Sequence, residues 1–199
     1  MSTTDTEARS TDPGRPSFNW RNTASRYGSI SLGLHWLMLL LIAAVYACIE
    51  LRGDFPKGSD VREGLKTWHF ILGLSVLALV VVRAAAQFSG TVPRIEPEPS
   101  RWQNRFARLM KIQLYALMIG MPLLELLILS AEGKHVPFFG WQLTPLISES
   151  KSVAGWAKGI PENAGMVGCF LIGLHAAEAL FHHHVVRDNT LRRMLPSRG

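Results

Sequence analysis

Four runs of eighteen or nineteen residues, at 32–49, 68–86, 112–130 and 164–181, are nearly free of charge, and that pattern leaves the chain few ways to fold. At about 1.5 Å per residue, each run laid out as a helix almost crosses a hydrocarbon layer of roughly 30 Å. A soluble bundle repeats polar residues along one face of each helix, yet residues 70–82 carry no charged side chain on any face. The runs are also too long, and too little alternating, for strands of a transmembrane barrel. The expected fold is all-α, a transmembrane four-helix bundle. Only 18% of residues are charged, against the quarter usual in soluble domains, which agrees. Cys48 and Cys169 both lie in apolar runs and read as small packing residues.

Residues 1–30 form a polar, Ser-, Thr- and Arg-rich segment without the apolar stretch and cleavage site of a secretory signal, and read as a flexible cytoplasmic tail. Residues 31–199 form the membrane domain. Its orientation follows from its cations. Fourteen Lys and Arg fall in the tail, the second connection with its flanks and the C-terminus, against seven in the first and third connections. Both termini of this multi-pass membrane protein are therefore expected in the cytoplasm. The net charge of +6 reads as topology and contact with anionic lipid, and no nucleic acid is expected. Residues 94–100, with three prolines, read as an extended connector, and the aromatic stretch at 136–141 as a segment lying at the far interface.

Ionisable residues at membrane depth are costly, and each raises a functional question. His35 lies about 5 Å inside the first run and His175 about 10 Å inside the fourth, on the side of both termini, so the two can reach one iron. His69 lies at the other end of the second run and belongs to a different depth. Neutral imidazole is the commonest haem ligand, and a four-helix bundle can hold a porphyrin between facing helices. Metal transport and plain hydrogen bonding between helices are the competing readings. The run His182-His183-His184, at the membrane edge, reads as interfacial rather than as a metal site.

Ser31-Leu32-Gly33-Leu34-His35-Trp36, Glu50-Leu51-Arg52-Gly53-Asp54-Phe55-Pro56, Gly173-Leu174-His175-Ala176-Ala177 and Asp188-Asn189-Thr190-Leu191-Arg192-Arg193-Met194-Leu195-Pro196, in this order, resemble the bacterial cytochrome b561 family from about residue 27 to 196. The resemblance implies a four-helix cytochrome with two b-type haems, one near each face, exchanging electrons with ubiquinone. It also implies oxidation of superoxide at the periplasmic face, a superoxide:quinone oxidoreductase, or electron delivery to a periplasmic redox partner. His35 and His175 match the axial pair of the cytoplasmic-side haem, and His69 matches one ligand of the periplasmic-side haem. The family's remaining ligand lies fourteen residues before His175, where this chain has Pro161. Fourteen residues turn a helix about 40° short of four turns, so the family's two histidines share one face at two depths.

Three readings of the outer site follow: a five-coordinate haem on His69, a substitute ligand from His135 in the third connection, or no outer haem, so one or two haems in all. Met166, nine residues before His175, falls on the opposite helix face. Lys111 stands where some relatives have histidine and reads as a snorkelling cation. Glu125 either faces lipid or turns into the bundle toward His69, where it can relay a proton. Glu178 is either a support for His175 or a lipid-edge residue. Arg52, Lys57, Arg62, Lys66, Lys134 and Lys158 form either a cationic patch for an anionic donor or a mixed rim with neighbouring carboxylates. Beside the enzyme stand two other readings, a haem-bearing membrane anchor for a redox partner and a divalent-metal transporter.

Overall fold

The computed structural model describes Trp20, Asn22, Thr23 and residues 26–88 and 92–194. Most of the expected N-terminal tail lies outside the described residues. Four long helices carry the chain: α1 Ser29–Leu51, α2 Asp60–Phe88, α3 Arg101–Ala131 and, after the short α4 Lys151–Ala157, α5 Ile160–Phe181. Each contains one of the apolar runs, and each is long and apolar enough to cross a membrane. Only 6% of the residues in the most apolar windows of the first and last spans are buried against protein, so most of that apolar surface is left for lipid. Four crossings put the start of α1 and the end of α5 on one face, the terminal face.

Met38, Val76 and Val80 form the buried centre, with Leu41, Ile42, Val45, Leu77, Leu79, Tyr115 and Met118 packed around them from α1, α2 and α3. The helices then pack in sequence, α1 on α2, α2 on α3 and α3 on α5. The seam between α1 and α5 is different, because these two helices are not packed backbone to backbone. Tyr46 spans it, donating its hydroxyl to the Gly165 carbonyl at 2.7 Å. The contact depends on Gly168: a Cβ there would fall 2.6 Å from Tyr46 Oη and 2.7 Å from Leu117 Cδ2.

The third connection differs from a simple interfacial stretch. Strands β1 Val136–Phe138 and β2 Trp141–Leu143 form an antiparallel hairpin with Phe138 opposite Trp141. Phe139 and Gly140 both have positive φ, 45° and 84°, as a two-residue turn that follows the twist of the strands requires. Among the described residues, the all-α expectation thus holds apart from six residues of strand at the face opposite the terminal one. Trp141, 77% exposed, and Phe139, Leu146 and Trp156 point outward there, which suits a membrane interface. The connection is tied down by Ser130 Oγ, which accepts from Leu146 N at 3.0 Å, and by Ser150 N, which donates to Ala131 O at 2.9 Å. Ser150 also caps α4, its hydroxyl accepting from Val153 N.

Gly168→Ala is expected to destabilise the fold by about 1–3 kcal/mol through overpacking, and Tyr46→Phe by about 1 kcal/mol through the lost hydrogen bond. Thermal unfolding in detergent, followed by helical circular dichroism, measures both; the reverse order would place the seam elsewhere.

Candidate haem site and its surroundings

His35 lies two turns into α1, and Arg83, five residues before the end of α2, stands at nearly the same height because the two helices run antiparallel. Arg83 Nη1 lies 3.0 Å from His35 Nδ1. Arg83 and His175 of α5 are also within electrostatic reach of each other, as are His35 and His175. The two imidazoles expected at one depth are thus within electrostatic reach of each other, on two helices whose backbones are not in close contact. His35 is half-buried, and His175 is exposed.

His69 sits apart, as its depth requires. Its Nδ1 lies 3.1 Å from the Val45 carbonyl of α1. A carbonyl only accepts, so Nδ1 carries the proton and Nε2 keeps its lone pair, the tautomer that metal-binding histidines use. Glu125 is half-buried and faces the bundle, within electrostatic reach of His69, Arg52 and Glu132. Of its two expected placements, the inward one is observed. His135 is exposed just before β1, and Met166 is 70% exposed on the outside of α5. Pro161 lies in the first turn of α5, where a proline costs no helix hydrogen bond. Lys111 is exposed, as a snorkelling cation would be, and Glu178 is half-buried within reach of His182.

The far-face cations resolve into a mixed rim. Lys134 and Lys158 both reach Glu132, at 2.7 and 2.5 Å, and Lys66 lies 3.7 Å from Glu63. Hydrogen bonds from Lys134 and then Lys158 hold the Glu132 carboxyl below its ordinary value. Arg62 Nη1 is taken up by the carbonyls of Arg52 and Phe55.

Two features carry no signal in the apolar pattern. Arg83 counts there only as one cation of a connection, although it is the one charge inside its run and shares the height of His35. The histidine run is the second: His182, at the membrane edge, is buried, in a π turn at His182–Val186, with Nδ1 2.6 Å from Asp188 Oδ2. The adjacent positions expected to fan around a helix are instead split by that wider turn, with His184 exposed and His182 inside. Arg187, at φ 59°, ends the turn, and Asn189 then exchanges hydrogen bonds with Glu96 while Arg193 Nη1 donates to Pro93 O at 2.6 Å. Trp36 Nε1 donates to Met194 O, so this C-terminal strap closes over the start of α1.

The pattern of the family described as prokaryotic cytochrome b561 matches residues 26–197. The chain belongs to this family. It is 37% identical to cytochrome b561 homolog 1 of Escherichia coli over 87% of this chain and 99% of that one. It is 33% identical to the probable superoxide oxidase CybB of Yersinia pestis, over 87% and 97% respectively. Cytochrome b561 homolog 2 of Escherichia coli is 26% identical, over 89% and 95%. The cytochrome is thus a membrane electron-transfer protein with b-type haem, multi-pass in the bacterial inner membrane. The donor set suits that cofactor. On the terminal side two imidazoles from α1 and α5 lie within electrostatic reach of each other; on the far side one imidazole already has the ligating tautomer.

Burial by itself would raise the Asp188 carboxyl, but hydrogen bonds from His182 and the Thr190 backbone outweigh it and hold the carboxyl below its ordinary value. The strap's share of stability from this group is therefore complete above about pH 4 and lost as pH falls through the folded value. At pH 7, Asp188→Asn is expected to speed amide exchange across residues 189–194 by roughly tenfold, the effect of one weakened charge-assisted hydrogen bond. Unchanged exchange there would mean that Asp188 does not hold the strap.

Proposed function

We propose that His35 and His175 are the axial ligands of a haem near the terminal face, and that the cytochrome passes electrons from superoxide at the opposite face to ubiquinone. The observation that carries this reading is that the two imidazoles lie within electrostatic reach of each other, on α1 and α5, two helices whose backbones are not in close contact. A haem held by two neutral imidazoles supplies one-electron storage without an open position for oxygen. We further infer a second, altered haem on His69, whose Nδ1–H bond to Val45 leaves Nε2 with its lone pair for a metal. Pro161 gives that haem no second imidazole from α5. Both termini face the cytoplasm on this reading, supported by the two-to-one excess of cations on their side.

The superoxide assignment draws on the 33% identical relative whose name carries that activity. Two superoxide anions each give up one electron and leave as dioxygen; ubiquinone takes both electrons and two protons. The protein's own residues contribute positioning. Glu132 gathers Lys134 and Lys158 into a paired cluster at the mouth of the far face, so anion steering there is weaker than the bare count of lysines suggests. Glu125 presents a carboxyl to the bundle near His69 and is the one acidic side chain facing inward from α3.

Pyridine haemochrome assay of protein from haem-replete cells is expected to give between one and two haems per chain; a colourless preparation would reject the reading. His175→Ala is expected to remove one whole haem. His69→Ala is expected to change the low-temperature spectrum, and identical spectra would remove the outer haem from the proposal. Pro161→His, which restores an imidazole fourteen residues before His175, is expected to convert the remaining signal to the six-coordinate form. Quinone-dependent consumption of superoxide by the purified wild type tests the reaction; consumption that ignores quinone would leave electron transfer without this donor and acceptor pair.

A further inference from the structure

Arg83 carries a charge inside the second span and, among the described residues, makes no ion pair. A guanidinium at that depth needs an anion or an exit to water. What it has is His35 Nδ1, at 3.0 Å. A guanidinium only donates, so His35 Nδ1 accepts and its ring proton sits on Nε2. A neutral imidazole that ligates through Nε2 carries the proton on Nδ1 and needs an acceptor there, whereas ligation through Nδ1 removes the acceptor from Arg83. Either way, a ligating His35 releases Arg83 to find another acceptor.

Beside Arg83 lies a cavity of about 50 Å³ between the start of α1, the end of α2 and the C-terminal strap, bordered also by Tyr27, Ser31, Gln87 and Met194. Among the described residues, no carboxylate lines it. The Gln87 amide oxygen is taken by the Tyr115 hydroxyl, so this residue has only its N–H groups to offer a ligand. Arg193 stacks over the Tyr27 ring, 5.8 Å from its centre, and adds a second positive charge nearby. The cavity thus combines hydrogen-bond donors with positive charge. Its size decides what it can take: it has room for about one or two water-sized groups, far below the roughly 300 Å³ of sites that enclose ring systems. A carboxylate fits, and a quinone ring does not.

We propose that Arg83 turns from His35 to this cavity and there holds a carboxylate arm of the porphyrin bound by His35 and His175, an inference that rests on the ligand assignment above. The same guanidinium near the iron favours the reduced state, so its loss lowers the midpoint potential.

The test loads the full-length chain, produced under haem limitation, with protohaem or with its dimethyl ester, which has no free carboxylate. Haem transfer to apomyoglobin is then timed for wild type, Arg83→Gln and Arg83→Lys. With protohaem, the Gln variant is expected to release haem roughly tenfold faster, the Lys variant by less, and the midpoint potential of the Gln variant to fall. With the ester, the three proteins are expected to release at one rate. Equal wild-type-to-variant ratios for both haems would overturn the proposal. So would ratios that ignore esterification but change between phosphatidylglycerol and phosphatidylcholine nanodiscs, which would assign Arg83 to lipid phosphate. If the Gln variant does not fold, the Lys variant carries the same comparison. Full haem binding by His35→Ala would defeat the ligand assignment itself, a result separate from either comparison at Arg83.

Discussion

Hydrocarbon offers a polar group nothing to bond to, and the interior of this protein is organised by that constraint. Tyr46 reaches the Gly165 carbonyl, His69 the Val45 carbonyl, Ser75 its own helix at Ile71, Tyr115 the Gln87 side chain, and Arg83 the ring of His35. Each of these bonds except that of Ser75 also joins two helices. The polar side chains therefore determine how the apolar helices are held relative to one another, since lipid competes with apolar contacts between helices but not with these bonds. Two imidazoles on different helices and within electrostatic reach of each other, as His35 and His175 are, suit a cofactor with a coordinating metal.

The spans could be read from the chain because membrane helices announce themselves by length and lack of charge, and all four lie where residues 32–49, 68–86, 112–130 and 164–181 put them. Pairing of His35 with His175, and separation of His69 from both, was legible from depth alone, since helical rise converts position in the run to height. Facing was harder. Glu125 turns inward, and nothing in a uniformly apolar neighbourhood marks which side of α3 meets protein rather than lipid. The hairpin at 136–143 escaped because three-residue strands leave too few alternations to register, and its turn depends on a positive φ at Phe139, a residue that seldom adopts it. The burial of His182 was equally hidden, because it depends on a π turn and on a carboxylate that reaches it only after Arg187 reverses the chain.

The far-face rim shows why counting charges overstates a field. Seven cations crowd the first and third connections there, yet Glu132 binds two of them and Arg62 is spent on backbone carbonyls. The C-terminal strap shows the opposite case. Arg193 is buried, satisfied in part by a carbonyl and stacked on Tyr27, so a residue that looks like one more basic surface group belongs to the packing of the terminal face.

The clasp between Tyr46 and Gly165 lies about 16 Å along α1 from His35 and about 6 Å along α5 from Pro161. It ties α1 to α5 between the height of His35 and that of Pro161. On the proposed assignment of two haems, a substitution at the Pro161 end falls beyond this tie from His35 and His175, so one end can be retuned without rebuilding the other.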